Sequence, residues 1–480
     1  MADTLTLDDA RDSSSSSGSN AAGASSDDTA SDERDLTSGP EWAILAKLAG
    51  PMCLGLLSVL SVGLVDTFFV GKLGTDQLAA LSFAFPVTVA VTGLCIGAGV
   101  GTASVVSRRT GEGRDEDAEH AALSGILLGL LVVSLVAAAI ALSAGPLFSL
   151  LGADPDTLPH IVDYIPIYMA SVPFLAASII LHNISRSVGE ANWPMGIMAV
   201  SGLLNIGLTA GLVFGLGPFP ELGILGAALG TLLARGAIVW TSVWLVSAKL
   251  DVVDWHLPDL RALLPDWRAI AKVAVPSAAG NIVNPLSITV ITAILAGFAQ
   301  DAVAGFGVAR QVQSLGAIPL LAMSSAIGPI AGQNWGAEKP ARITATLKIA
   351  YGVSLAWAGL LAGSLWLFGD TIAGVFSDEA SVTDEAVTYL RIVPISLFGF
   401  GMAIVSAAAF NGLGQSARGL AFYLVRAVAL LVPLAFIGSL LAEARGVYIG
   451  MAIANGVGGL LVAAYALRWL KRNADTACKD

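Results

Sequence analysis

Asp66 is a carboxylate set inside the apolar run Leu-Ser-Val-Leu-Ser-Val-Gly-Leu-Val-Asp-Thr-Phe-Phe-Val of residues 57–70, and it is the only acid placed away from the end of an apolar span. A charge in such surroundings is unfavourable to keep and marks a functional site. At matching depth the sequence offers Asn205, Thr209, Thr231, Tyr164, His182 and Asn183. Asn205 and Thr209 are four residues apart and so share one side of a helix. A carboxylate joined by amide and hydroxyl oxygens suits a sodium ion or a proton carrier, so sodium is a candidate ligand at Asp66. Desolvation disfavours the charged carboxylate, which lets Asp66 take up a cation on one side of a barrier and lose it on the other.

Each of these residues also has a plainer reading. Taken singly, Thr209 and Thr231 suit helix packing, and His182 suits an interfacial position. Asp66 also suits a structural ion pair with Arg235. Arg235, Asn281, Asn284 and Gln311 join Tyr164, His182 and Asn183 as candidate cavity residues, with interhelical hydrogen bonding as the alternative for the amides. Arg310 and Arg426 lie nearer helix ends and read as snorkelling cations. Pro51, fifteen residues before Asp66, withholds a backbone hydrogen bond and is the candidate hinge.

The elements that must position these groups are helices in a membrane. The chain has 480 residues, 55% hydrophobic and 13% charged, with a mean hydropathy of +0.76. That is too apolar for a soluble globule and long enough for about a dozen spans. The runs are continuously apolar and rich in Ala, Gly and Leu, whereas barrel strands would alternate. Three cysteines and four scattered histidines give no disulfide framework and no metal-ligand spacing. No nucleophile and base stand together, so an enzyme is disfavoured.

Hydropathy predicts twelve helices: 42–70, 78–107, 121–142, 161–184, 194–215, 223–248, 271–297, 303–331, 345–369, 386–410, 420–441 and 447–469. Loops after the even-numbered helices, with the C-terminal tail, hold sixteen Lys and Arg residues, Arg186 among them, against Lys72 and Arg445 on the other side. This bias predicts two cytoplasmic termini. Residues 1–40 carry eight Asp and one Glu against two Arg, and their ten serines complete the composition of a disordered acidic tail with no apolar core of a signal peptide. Residues 249–270 are Pro-punctuated and amphipathic, predicting a helix on the cytoplasmic surface between an N-lobe (41–248) and a C-lobe (271–469), with a short tail at 470–480.

Sliding the chain by 225 residues sets Pro51 on Pro276, Gly55 on Gly280, Thr67 on Thr292, Gly111 on Gly336, Tyr164 on Tyr389 and Gly189 on Gly414. Six helices per copy make this a parallel repeat, and transporters place substrate between such halves. The fold class is therefore all-α, with twelve transmembrane helices in two pseudo-symmetric six-helix lobes. Asp66 falls on Ile291, so the coupling chemistry belongs to the first half.

The sequence resembles the multidrug and toxic compound extrusion (MATE) family over its twelve helices. The resemblance rests on Pro51, on Val65-Asp66-Thr67-Phe68-Phe69-Val70-Gly71-Lys72-Leu73-Gly74 followed by Leu78-Ala79-Ala80, on Leu204-Asn205-Ile206, on Gly226-Ala227-Ala228-Leu229-Gly230-Thr231 and on Gly332-Gln333-Asn334-Trp335-Gly336-Ala337. It implies a plasma-membrane antiporter that exports organic cations or other amphipathic compounds in exchange for H+ or Na+. It also implies no cofactor, no nucleic-acid partner and a monomer in the bilayer. In archaeal, DinF-like members a first-helix Asp, a fifth-helix Asn followed one turn later by Asp, and a sixth-helix Thr form the cation site. Asp66, Asn205 and Thr231 occupy those places, while Thr209 replaces the second acid. Pro51 resembles the first-helix proline associated with bending. The alternative within the superfamily is a lipid-linked oligosaccharide flippase, whose cavity would need several cations such as Arg235, Arg310 and Arg426.

Overall fold

The computed structural model describes residues 35–477 except 251, 254, 257–259 and 378. The expected acidic tail therefore falls outside the described residues up to position 34, as do Leu257 of the linker and residues 478–480. Every regular element among the described residues is helical.

Twelve spans follow one another: α1 (Glu41–Gly71), α2 (Thr75–Gly111), α3 (Asp115–Leu142), α4 (Leu158–Ser187), α5 (Asn192–Phe214), α6 (Gly223–Leu245, continued by a π-turn to Leu250) and α7 (Leu260–Ala296) come first. Next are α8 in two pieces (Gln300–Gly316 and Ile318–Gly336), α9 (Pro340–Gly374) and α10, also in two pieces (Ala380–Ile392 and Leu397–Gly412). The last two are α11 (416–441) and α12 (444–477), parted by the non-helical residues Ala442 and Glu443. The lipid-facing side carries apolar residues such as Leu142 (88% exposed), Leu440 (72%) and Leu441 (81%), an exposure that a hydrocarbon solvent makes favourable.

Three local features differ from the sequence expectation. The expected continuous eighth helix is bent by 47° at Ala317, with Pro319 in the first turn of the second piece, and the tenth is interrupted at 393–396 around Pro394. A proline inside a run withholds one intrahelical bond and clashes with the preceding turn, which accounts for both breaks. A short extra helix, Ala144–Leu150, follows α3. The third difference concerns the linker: Leu260–Ala296 is one helix, so its described C-terminal part is the start of α7 and not a separate surface helix. Asp266 pairs with Arg109 at 2.5 Å, and Trp267 Nε1 donates to Ser124 O at 3.1 Å, tying that start to α2 and α3.

The two halves meet where α2 packs along α7 and where α1 and α2 pack on the second piece of α8. Glycines make the first contact possible: a Cβ on Gly97 would lie 2.7 Å from Ala274 O, and one on Gly101 2.8 Å from Ile270 O. Without a hydrophobic drive between helices in lipid, such close backbone approach supplies the attraction. The same device operates inside the second half, where a Cβ on Gly399 would lie 2.0 Å from Asn455 O. Gly399→Ala is expected to destabilise the protein by about 1–3 kcal/mol, measured as a lowered thermal midpoint in detergent.

Candidate functional site

A cavity of ≈720 Å³ lies between the two halves. One end is closed by hydrogen bonds that cross from half to half. Ser104 Oγ donates to Asn411 O (2.5 Å), Arg108 Nη1 to Gly412 O (3.0 Å) and Gln333 Nε2 to Ser187 O (2.7 Å). Both ends of the described chain sit there. Leu36 N donates to Gln333 Oε1 at 3.1 Å, and the Trp469 ring lies 5.8 Å from that of Trp335.

Asp66, Asn205 and Thr231 line the cavity together, with Thr209 just behind them. Asn205 Nδ2 donates to Thr231 Oγ1 at 3.4 Å, which links α5 to α6. Thr209 packs directly on Gly230: a Cβ there would stand 2.8 Å from Thr209 Oγ1. The Thr209 hydroxyl stands near the Asp66 carboxylate, short of a well-formed hydrogen bond to it. Among the described residues, six buried side-chain polar atoms lack a hydrogen-bond partner, and three of these are Asp66 Oδ1, Asn205 Oδ1 and Thr209 Oγ1. Buried oxygens are normally satisfied, so two acceptors without a donor, Asp66 Oδ1 and Asn205 Oδ1, beside a hydroxyl that can donate or accept, form a place for a cation or a proton.

Arg235 is within Coulombic reach of Asp66, yet the two form no salt bridge. Its guanidinium donates instead to Ser171 Oγ (2.6 Å) and Tyr168 OH (3.2 Å) and lies 4.8 Å from the Tyr168 ring centroid. Tyr168 stacks on Tyr164, with centroids 5.5 Å apart. α1 is an uninterrupted helix across Pro51 in this conformation.

Tyr164, His182, Asn183, Arg235 and Asn281 all line the cavity. His182 is buried against Ser242 Oγ at 3.0 Å, which removes the interfacial reading. Asn284 and Gln311 stand outside the lining, correcting the expectation for both. Asn284 is three residues from Asn281 and so is turned about 60° around the helix. There its Oδ1 accepts from Arg426 Nη2 at 2.9 Å. Gln311 belongs to the first piece of α8, whereas the cavity takes residues only from the second, beyond the bend. Arg426 does not snorkel: it is 2% exposed and donates to Asn455 Oδ1 at 2.7 Å.

Sequence reasoning missed Arg186, counted among loop cations but buried (7% exposed) in the cavity wall. A signal was present: Leu175, Ser178, Ile179, His182, Asn183 and Arg186 follow helical spacing, and all six line the cavity.

Two helical lobes closed at one end around a largely apolar cavity that holds a few charged and polar side chains define a multi-pass membrane transporter. The chain belongs to the MatE family, whose model matches residues 51–210 and again 276–437, two segments that start 225 residues apart. It is 33% identical over 429 residues to the FAD transporter of Shewanella oneidensis, covering 89% of this chain and 95% of that protein. It is 24% identical over 421 residues to the multidrug export protein MepA of Staphylococcus saprophyticus, covering 87% and 92%. A mutant of the Vibrio cholerae MATE transporter VcmN superposes with a TM-score of 0.86 at 28% identity, covering 90% of this chain and 98% of that one. An outward-facing multidrug resistance MATE family transporter gives 0.85 at 24% identity, covering 91% and 98%, which supports the fold. These relatives are transporters and not enzymes.

Proposed function

We propose that this chain is a cation-coupled antiporter that exports organic cations or other amphipathic compounds by alternating access. H+ or Na+ entering from outside neutralises Asp66, α1 bends near Pro51, and substrate leaves outward. The observation that carries this reading is the set of three buried side-chain oxygens left without a hydrogen-bond partner, the acceptors Asp66 Oδ1 and Asn205 Oδ1 and the hydroxyl Thr209 Oγ1, at the cavity between the lobes. Thr231 holds the Asn205 amide in place. The set lies in the first half alone, which favours the archaeal, DinF-like branch. Relatives named as FAD and multidrug transporters support small amphipathic molecules as substrates.

The closed end carries both described chain ends and most of the basic loops. The positive-inside rule then makes it cytoplasmic and this conformation outward-facing, in the plasma membrane. One chain completes the cavity, so the working unit is a monomer. The lobes are 41–248 and 271–469. A lipid-linked oligosaccharide flippase is the weaker reading, because Arg310 and Arg426 lie outside the cavity.

Efflux of an amphipathic dye from proteoliposomes, with sodium and proton gradients imposed one at a time, tests the function. One gradient is expected to accelerate efflux at least about tenfold, within reach of the driving force on a single charge. Rates indifferent to both gradients remove the reading. Asn205→Leu is expected to raise the ion concentration needed for half-maximal efflux about tenfold, the effect of losing one charge-assisted contact.

A further inference from the structure

The cavity has two charged ends that do different jobs. Asp66 and Arg186 lie near opposite ends: Met52, which receives the Arg186 Nη1 contact at 3.5 Å, precedes Asp66 on α1 by fourteen residues, about 21 Å of helix. Around the Arg186 end the wall includes Ser104, Asn411 and Gly412 of the closed gate. Arg186 is thus at the floor.

A cation in the last turn of a helix ordinarily serves the free carbonyls there. Here those carbonyls are already taken. Asn183 O and Ile184 O accept from Ser187 Oγ (3.0 and 2.8 Å), Ser185 O from Glu190 N (3.0 Å), Arg186 O from Gly189 N (3.1 Å) and Ser187 O from Gln333 Nε2 (2.7 Å). The guanidinium is left with two neutral acceptors, Asn183 Oδ1 at 2.8 Å and the Met52 sulfur, while its buried Nε has none. Neither Arg186 nor Arg235 is in a salt bridge among the described residues. The whole lining holds two guanidiniums against one carboxylate, and the C-lobe contributes no charged side chain to it.

We infer that Arg186 anchors the anionic head of the transported molecule, so that the substrate class is an amphipathic anion: a carboxylate, sulfonate or phosphate on an apolar or aromatic body. This rests on the exporter reading and narrows its substrate. A buried guanidinium with an unspent donor is completed by an anion, through charge-assisted and often bidentate hydrogen bonds. The body of the molecule then lies along Leu56, Val59 and Val62 of α1, Leu175 and Ile179 of α4, and Leu321 of α8, toward the Tyr164–Tyr168 stack. An organic cation would meet two like charges, and its only counter-charge would be the acid already assigned to the coupling ion. Anion at the floor and coupling cation at Asp66 occupy separate groups and do not compete for one.

The test uses purified full-length protein and two probes of one shape, 4-(1-pyrenyl)butyrate and the same pyrenylbutyl chain ending in trimethylammonium. Binding is read by pyrene fluorescence anisotropy. The butyrate is expected to bind at least about tenfold more tightly than the ammonium, Arg186→Gln to weaken the butyrate about tenfold, and Arg186→Lys to recover most of that loss. Equal or tighter binding of the ammonium by the wild type overturns the inference, as does butyrate affinity unchanged in Arg186→Gln. Should that variant not fold, the wild-type comparison still decides. Gradient-driven efflux of both probes separates the two levels. Efflux of the ammonium alone removes the anion anchor and leaves an exporter, whereas butyrate binding without gradient-driven movement of either probe supports the anchor and removes the exporter.

Discussion

Asp66→Asn is expected to yield a folded protein that still binds substrate and no longer accumulates it against a gradient. Asparagine matches aspartate in size, and the carboxylate gives up no ion pair on substitution, because Arg235 is held by Ser171 and Tyr168. Its Oδ1 is buried and has no donor, so the charge contributes little to the fold. Thermal midpoints of wild type and variant should therefore agree within a few degrees, or the variant should be slightly higher. Transport is different. One elementary charge crossing the field gains about 2.3 kcal/mol per 100 mV, a roughly fiftyfold concentration ratio. The variant has no group to carry that charge and should equilibrate substrate only downhill. Uphill accumulation in energised vesicles measures this, and a melting curve on the same preparation guards against misfolding.

The second large effect belongs to the closed end. Gly111 of α2 and Gly336 of α8 face each other so closely that a Cβ on the first would lie 2.1 Å from Gln333 O and one on the second 2.1 Å from Arg108 O. Both neighbours are backbone atoms, and backbone cannot step aside as the end of a flexible side chain can. Gly336→Val should therefore hold the halves apart where they now touch. Overpacking of roughly 1–3 kcal/mol is enough to shift a two-state population about five- to 150-fold. The expected readout is a rise of that order in labelling of Ser104→Cys, introduced on a cysteine-free background, by a membrane-impermeant thiol reagent added from the cytoplasmic side. The outward-open form should be depleted to match. Unchanged labelling with intact transport would mean that the glycine contact is not part of the gate.

Much of this architecture is legible in the residues. Long apolar runs need no tertiary information to be read as spans, and the constant offset of 225 residues reveals the repeat, because prolines and glycines mark backbone geometry and not merely packing. Asp66, Asn205 and Thr231 stand out because buried polarity in a membrane demands a partner. What escapes is rotation and depth. Asn284 looks equivalent to Asn281 until the helix turn is known, and it then serves Arg426. Gln311 drops out because a bend at Ala317 separates it from the cavity-lining half of α8. Arg186 hides at a helix end, where a count of loop charges absorbs it, although its spacing from His182 and Asn183 assigns it to the same face. The start of α7 looked like a surface helix because amphipathicity reports a half-buried face without naming what covers it. Here Arg109 and Ser124 are the groups that hold it.

Direct titration of the purified protein with the coupling ion reaches the role of Asp66 without any transport assay. Either calorimetry with sodium at fixed pH should show one saturable binding event in the wild type that is missing in Asp66→Asn, or, where H+ is the ion, potentiometric titration should show the variant taking up one proton fewer than the wild type. Sodium binding of unchanged affinity and stoichiometry in Asp66→Asn, together with a proton uptake equal to that of the wild type, would remove this carboxylate from the mechanism.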